Sequence, residues 1–113
     1  MKSDKKSSLR VRSSKIKGAG KGLFVTKKYV YGSLIQIMGY RAATKAEIKA
    51  EHRFIAWIDG EPLYVLSAGR YANHSSYPNA ELVCYMDGTM MLKALHDIEP
   101  GEEVTINYGE DWE

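Results

Sequence analysis

From Arg70 to Leu82 the chain reads RYANHSSYPNAEL. An amide, an imidazole and a hydroxyl stand side by side at Asn73, His74 and Ser75, with Pro78 and Asn79 just beyond. These residue types fit a binding or catalytic loop, and they fit equally a polar surface turn, where Asn and His only satisfy local hydrogen bonds. Two other stretches carry chemistry of the same grade. GAGKGLFV sets glycines at 18, 20 and 22, which let backbone approach a ligand or take positive φ. EPGEEVTINYGEDW ends a β-like run on Tyr108 and Gly109, where a phenol hydroxyl reaches for water or for a reacting centre.

The glycines do not make a nucleotide site. Counted from Gly18, the sixth position of a dinucleotide fingerprint is Leu23, and the residues that follow read as a strand where that motif needs a helix. A phosphate-binding P-loop needs Ser or Thr after its lysine, and Lys21 is followed by Gly22. A glycine-rich hairpin bend is the plainer alternative.

The elements that must position these residues are short and mainly β. LRVRSSKI alternates apolar and polar residues, LFVTKKYV is β-branched and aromatic, and SLIQIMG follows the turn at Gly32. Thr44 and Glu47 have capping-box spacing, which predicts a short helix over about Ala46–His52. RFIAWI and PLYVLS flank Asp59-Gly60, ELVCYM and TMMLKAL flank Asp87-Gly88, and EVTINY closes the series after the Pro100-Gly101 turn. That pattern alone means a sandwich or a barrel.

At 113 residues with 44% hydrophobic content, one domain is expected, spanning 9–113 behind a Lys/Ser-rich disordered tail over 1–8. Residues 1–17 hold seven Lys/Arg against one acid, and the rest of the chain carries nine bases and thirteen acids. That balance argues against direct nucleic-acid binding by the folded domain. The single cysteine, Cys84, excludes an internal disulfide and a Cys-rich zinc site, and points to an intracellular protein. His52, His74 and His96 fall in different elements, so no metal site is expected. No apolar run approaches the ~18 residues of a membrane span, and no signal-peptide core follows the basic start.

Individually weak, the three stretches are specific in their order. Gly20-Lys21-Gly22-Leu23-Phe24, then Arg70-Tyr71-Ala72-Asn73-His74-Ser75 with Pro78-Asn79, then Gly101-Glu102-Glu103 leading to Tyr108-Gly109, together resemble the SET domain family of protein lysine methyltransferases. The resemblance covers about residues 9–112. It implies a mainly β SET fold of short curved sheets with one or two short helices. In that fold the C-terminal strand threads, knot-like, under the Asn-His loop. It implies S-adenosylmethionine as cofactor, held by Gly20, Lys21, Gly22, Arg70, Asn73 and His74, and Tyr108 as the catalytic tyrosine. The implied reaction is methyl transfer to a lysine side chain of a basic protein or peptide, such as a histone tail. The acidic run from Asp97 to Glu113 suits such a substrate.

The departures matter as much. Ser76 stands where many family members place a zinc-binding cysteine, so the resemblance is to the small members without a zinc-binding extension. Ile37 replaces a tyrosine common before Gly39, and Ile106 replaces an aromatic that limits methyl number. Trp112 or a second subunit, as in a homodimer, would have to close the lysine channel. The alternative function is a non-catalytic SET-like module that binds a basic peptide or the cofactor without turnover.

Overall fold

The computed structural model describes residues 8–108. Apart from Ser8, the tail expected over 1–8 lies outside them, as does Trp112. In chain order the strands are β1 (Leu9–Ser13), β2 (Lys21–Val25), β3 (Leu34–Met38), β4 (Tyr40–Ala42), β5 (Ile55–Ile58), β6 (Glu61–Val65), β7 (Asn73–His74), β8 (Ala80–Cys84), β9 (Met90–Ala94) and β10 (Glu103–Ile106). A helix, α1 (Lys45–Lys49), precedes β5, and a single 3₁₀ turn over Ala68–Tyr71 precedes β7.

Three small sheets result, in the orders β1-β2-β10-β7, β3-β9-β8 and β4-β6-β5. The alternation in β9 shows why they stack. Met90, Leu92 and Ala94 are buried while Met91 and Lys93 face outward, the period-2 pattern of a sheet with one covered face. In β2, by contrast, Leu23, Phe24 and Val25 are all buried. With Ile98 and Val104 they form a core of fully buried side chains, each contributing about 1.5–3 kcal/mol over the exposed state.

The last strand organises the site. β10 is antiparallel to β2, with Glu103 opposite Phe24 and Val104 opposite Leu23. It is parallel to β7, with Thr105 opposite Asn73 and Ile106 opposite His74. Asn79 then clamps it from the following loop. Its Nδ2 donates to the Glu103 carbonyl at 2.9 Å, and its Oδ1 accepts from the Thr105 N–H at 2.9 Å. Two strands and a side-chain amide thus flank β10.

The helix is shorter than its sequence pattern predicts. The Thr44–Glu47 capping box forms at its start, and Arg41 beside Glu47 holds that carboxyl down to about 2. It stops because Glu51 takes φ 53°, a left-handed conformation no helix continues, and the His52 ring packs on Phe54 and Tyr64 instead. β4 and the 3₁₀ turn are additional elements. β4 pairs with β6, and Ser67, just before the 3₁₀ turn, accepts the Gly39 N–H through its Oγ at 2.6 Å.

Candidate functional site

The site is a cleft of about 320 Å³ between the glycine-rich turn and the β7–β10 pair, lined by Ile16, Lys17, Gly18, Ala19, Arg53, Asn73, His74 and Tyr108. Its floor is set by Asn73, a buried polar side chain with every hydrogen-bonding atom engaged. Nδ2 donates to the Lys21 carbonyl at 2.9 Å and to Glu103 Oε2 at 3.0 Å, while Oδ1 accepts from Arg53 Nη2 at 3.1 Å. The amide orientation is therefore forced, since its nitrogen faces two acceptors and its oxygen a cation.

Glu103 is the second anchor. Its carboxylate also accepts from Ser14 Oγ at 2.6 Å and from the Lys15 N–H at 2.9 Å. One carboxylate in β10 thus ties the glycine-rich turn to Asn73. The turn is closed by Ser14 N–H donating to the Gly20 carbonyl at 2.7 Å, and Gly20 has φ 75°, which admits glycine without strain. Gly22 is needed for a different reason. A Cβ there would fall deep inside van der Waals contact with Glu103 Oε2 and lie 3.1 Å from Asn73 Nδ2.

Tyr108 closes the cleft. Its N–H donates to His74 Nδ1 at 3.0 Å, so that ring nitrogen carries no proton. Its hydroxyl donates to the Ala72 carbonyl at 2.8 Å, and its ring centroid lies 5.4 Å from that of His74. Burial pushes the Tyr108 hydroxyl above the ordinary pKa of 10, and the guanidinium of Arg53 beside it acts the other way. The hydroxyl is thus neutral at pH 7, with its proton committed to the Ala72 carbonyl and with the Arg53 side chain beside it.

Of the residues singled out from sequence, Asn73, His74 and Tyr108 meet at this cleft. Gly20, Lys21 and Gly22 continue the turn that lines it, but the lining itself comes from the four preceding residues and Gly22 faces Glu103. Arg70 is not in the lining. It donates to the carbonyls of Leu66 and Ser67 and lies 4.9 Å from the ring centroids of both Phe54 and Tyr71. That aromatic pair in turn supports Arg53, whose guanidinium is 5.3 Å from Phe54 and 5.6 Å from Tyr71. Ile37 is 58% exposed on β3 opposite Met91, and Ile106 packs against the core. Neither reaches the cleft lining. Arg53 and the anchoring role of Glu103 were not foreseen. Glu103 stood in the sequence only as part of the Gly101-Glu102-Glu103 stretch, with no role attached, and Arg53 had no signal. Among the described residues, no group of three or more His, Cys, Asp or Glu is placed to hold a metal ion, and no helix is long and apolar enough to cross a membrane.

The SET domain family's sequence profile matches residues 20–109. The chain belongs to the SET domain family. Its curated relatives include the histone-lysine N-methyltransferases set9 of Aspergillus terreus, 43% identical over 51 residues, and of Emericella nidulans, 41% identical over 51 residues. Each match covers 45% of this chain, which spans only 8% of the relatives' length. Among solved structures, a Plasmodium falciparum protein provisionally described as a histone methyltransferase superposes with a TM-score of 0.77 at 22% identity, over 95% of this chain and 97% of its own. A chain of ctPRC2, in an autoinhibited conformation bound to S-adenosylmethionine, gives a TM-score of 0.74 at 20% identity, over 93% of this chain and 15% of that one. At these identities the structural likeness is one of fold.

Proposed function

We propose that this chain is an S-adenosylmethionine-dependent protein-lysine N-methyltransferase acting on a lysine of a histone-type or other basic protein. The observation that carries the proposal is the Tyr108 hydroxyl, oriented by the Ala72 carbonyl at the edge of a cleft walled by the glycine-rich turn, Asn73 and His74. The donor set suits the cofactor. Two cations, Lys17 and Arg53, would hold its carboxylate, and the backbone of the turn and of β7 would hold its polar edges. A cleft of about 320 Å³ lies within the range of small-molecule sites.

When bound, S-adenosylmethionine supplies an electrophilic methyl group on a sulfonium. The chain's own residues then have two tasks. They must align nucleophile and methyl, a proximity effect that needs rigid walls. Asn73 and Glu103 provide these by cross-linking the turn, β7 and β10. They must also favour the neutral lysine, whose deprotonation at pH 7 costs about 4–5 kcal/mol from a free pKa near 10.4. Desolvation beside the bound cofactor's positive charge would disfavour a charged lysine, and Tyr108 at the cleft would orient the amine. Orientation and electrostatics suffice for Tyr108, and no general-base role is assigned to it.

The test is incubation with methyl-labelled cofactor and an array of histone and other basic peptides. The expected result is label on lysine, lost when that lysine is replaced by Arg. The exposed Ile37 in place of a channel tyrosine favours the second reading, a module that binds without turnover. Calorimetric binding of S-adenosylhomocysteine with no label transfer to any substrate would establish that reading. Absence of cofactor binding would remove the enzyme reading, and absence of basic-peptide binding as well would remove both.

A further inference from the structure

We propose that the β1–β2 hairpin is a docking surface for the phosphate backbone of duplex nucleic acid. Residues 8–28 contain Arg10, Arg12, Lys15, Lys17, Lys21, Lys27 and Lys28 and no Asp or Glu, whereas residues 29–108 contain six bases and ten acids. The acids that reach this segment are Glu103, bonded to Ser14 and the Lys15 N–H, and Asp97 and Glu99, paired with Lys28. Among the described residues, β1 is the edge strand of its sheet and pairs only with β2. Arg10 and Arg12 are two residues apart on it, so their side chains leave the same face about 6.8 Å apart.

The cations are organised on the surface. The Arg12 guanidinium lies 4.5 Å from the centroid of Phe24, and the Lys15 ammonium lies 5.9 Å from it. Phe24 is 1% exposed, and the two charged groups lie over its face on residues that are themselves exposed. Among the described residues, Lys28 is the one member of the group in an ion pair, with Asp97 and Glu99. Within that same range the other six charges have no acidic partner. Net charge over the folded body leads to the opposite expectation. Screening at physiological salt acts over about 8 Å, however, so a bound polyanion responds to the local density of charge and not to the total.

The chemistry of the patch selects the polyanion. Single strands are held by aromatic faces between the cations, and here the aromatic ring is buried. An anionic membrane surface is the competing polyanion, and the vesicle arm of the test below separates it. A row of such cations on a rigid edge strand fits regular phosphates, which position a protein without reading sequence. Lys17 is shared with the cleft, whereas Arg10, Arg12 and Lys27, the positions varied below, lie outside its lining.

Fluorescence anisotropy of the full chain with a labelled mixed-sequence 20-bp duplex, between 50 and 200 mM salt, tests the proposal. Affinity is expected to fall with salt, and Arg10→Gln/Arg12→Gln is expected to weaken binding at least tenfold. The salt slope should drop by about 1.8, at ~0.9 for each phosphate that is no longer neutralised. Thermal unfolding and S-adenosylhomocysteine titration on the same preparations check that fold and cleft are intact. Should loss of Arg12 from Phe24 unsettle the fold, Arg10→Gln/Lys27→Gln serves instead, with the same expected outcome. Wild-type binding by a folded variant, salt-independent binding, no binding at 50 mM, or equal capture of polyglutamate or anionic vesicles would each overturn it.

Discussion

Replacing Tyr108 by Phe is expected to lower kcat and kcat/KM together by roughly 10²–10³, the size of one preorganised hydrogen bond at a reacting centre. Cofactor affinity should be nearly unchanged, because the ring and its neighbour His74 stay in place and the backbone bond from Tyr108 N–H to His74 Nδ1 does not involve the hydroxyl. The Phe variant does lose the donor to the Ala72 carbonyl, so stability should fall by about 0.5–1.5 kcal/mol. If Tyr108 only packs, the same stability loss appears with normal turnover, so initial rates and melting on one preparation decide the matter. The pH dependence adds a check with a fixed sign. Burial raises the Tyr108 pKa above 10, so its contribution to stability is complete below pH ~10 and is lost as pH rises through the folded-state value. Wild type should therefore lose stability more steeply than the Phe variant on the alkaline side. Identical alkaline limbs would mean that the hydroxyl is not held as described.

The second large effect concerns two residues that share one space. Gly22→Ala places a methyl against the Glu103 carboxylate, which cannot retreat without breaking its bonds to Ser14, Lys15 and Asn73. Overpacking plus a partly unsatisfied network should cost about 2–4 kcal/mol. Glu103→Ala removes the acceptor of all three donors and should cost a similar amount. In the double variant the collision disappears with the carboxylate. Its destabilisation should be smaller than the sum of the singles by at least ~1 kcal/mol, a coupling that urea unfolding of the four proteins measures. Additivity within ~0.5 kcal/mol would show that Gly22 and Glu103 do not meet as described here.

What was legible in the sequence depended on how local the cause was. The alternation in MMLKA, the Asp-Gly turns and the Thr44–Glu47 box are short-range signals, and the strands and helix start they imply are present. Asn73, His74 and Tyr108 were found because their order and spacing match a family pattern, and they converge on one cleft. β4 was missed because Tyr40-Arg41-Ala42 is too short to show a period, and it exists only because β6 supplies its partners. The helix end was misjudged because His52 is taken up by Phe54 and Tyr64, a tertiary competition invisible in a capping motif. Glu103 and Arg53 act through partners up to 89 residues away. No window of sequence holds both ends of such a bond.

The position of β10 also dictates a history for each molecule. The strand lies between β2 and β7, whose residues are separated from it by very different lengths of chain, so its pairing closes the longest loops in the domain. Loop closure of that kind is slow, and it cannot begin on the ribosome until the final strand has emerged. Before then the glycine-rich turn lacks Glu103, and Asn73 lacks one of its acceptors. The nascent domain therefore has no assembled cleft, and competence arises in a single late step. Refolding followed in parallel by far-UV signal and by capture of radiolabelled S-adenosylhomocysteine should show ligand binding recovering with the slowest phase and not before it.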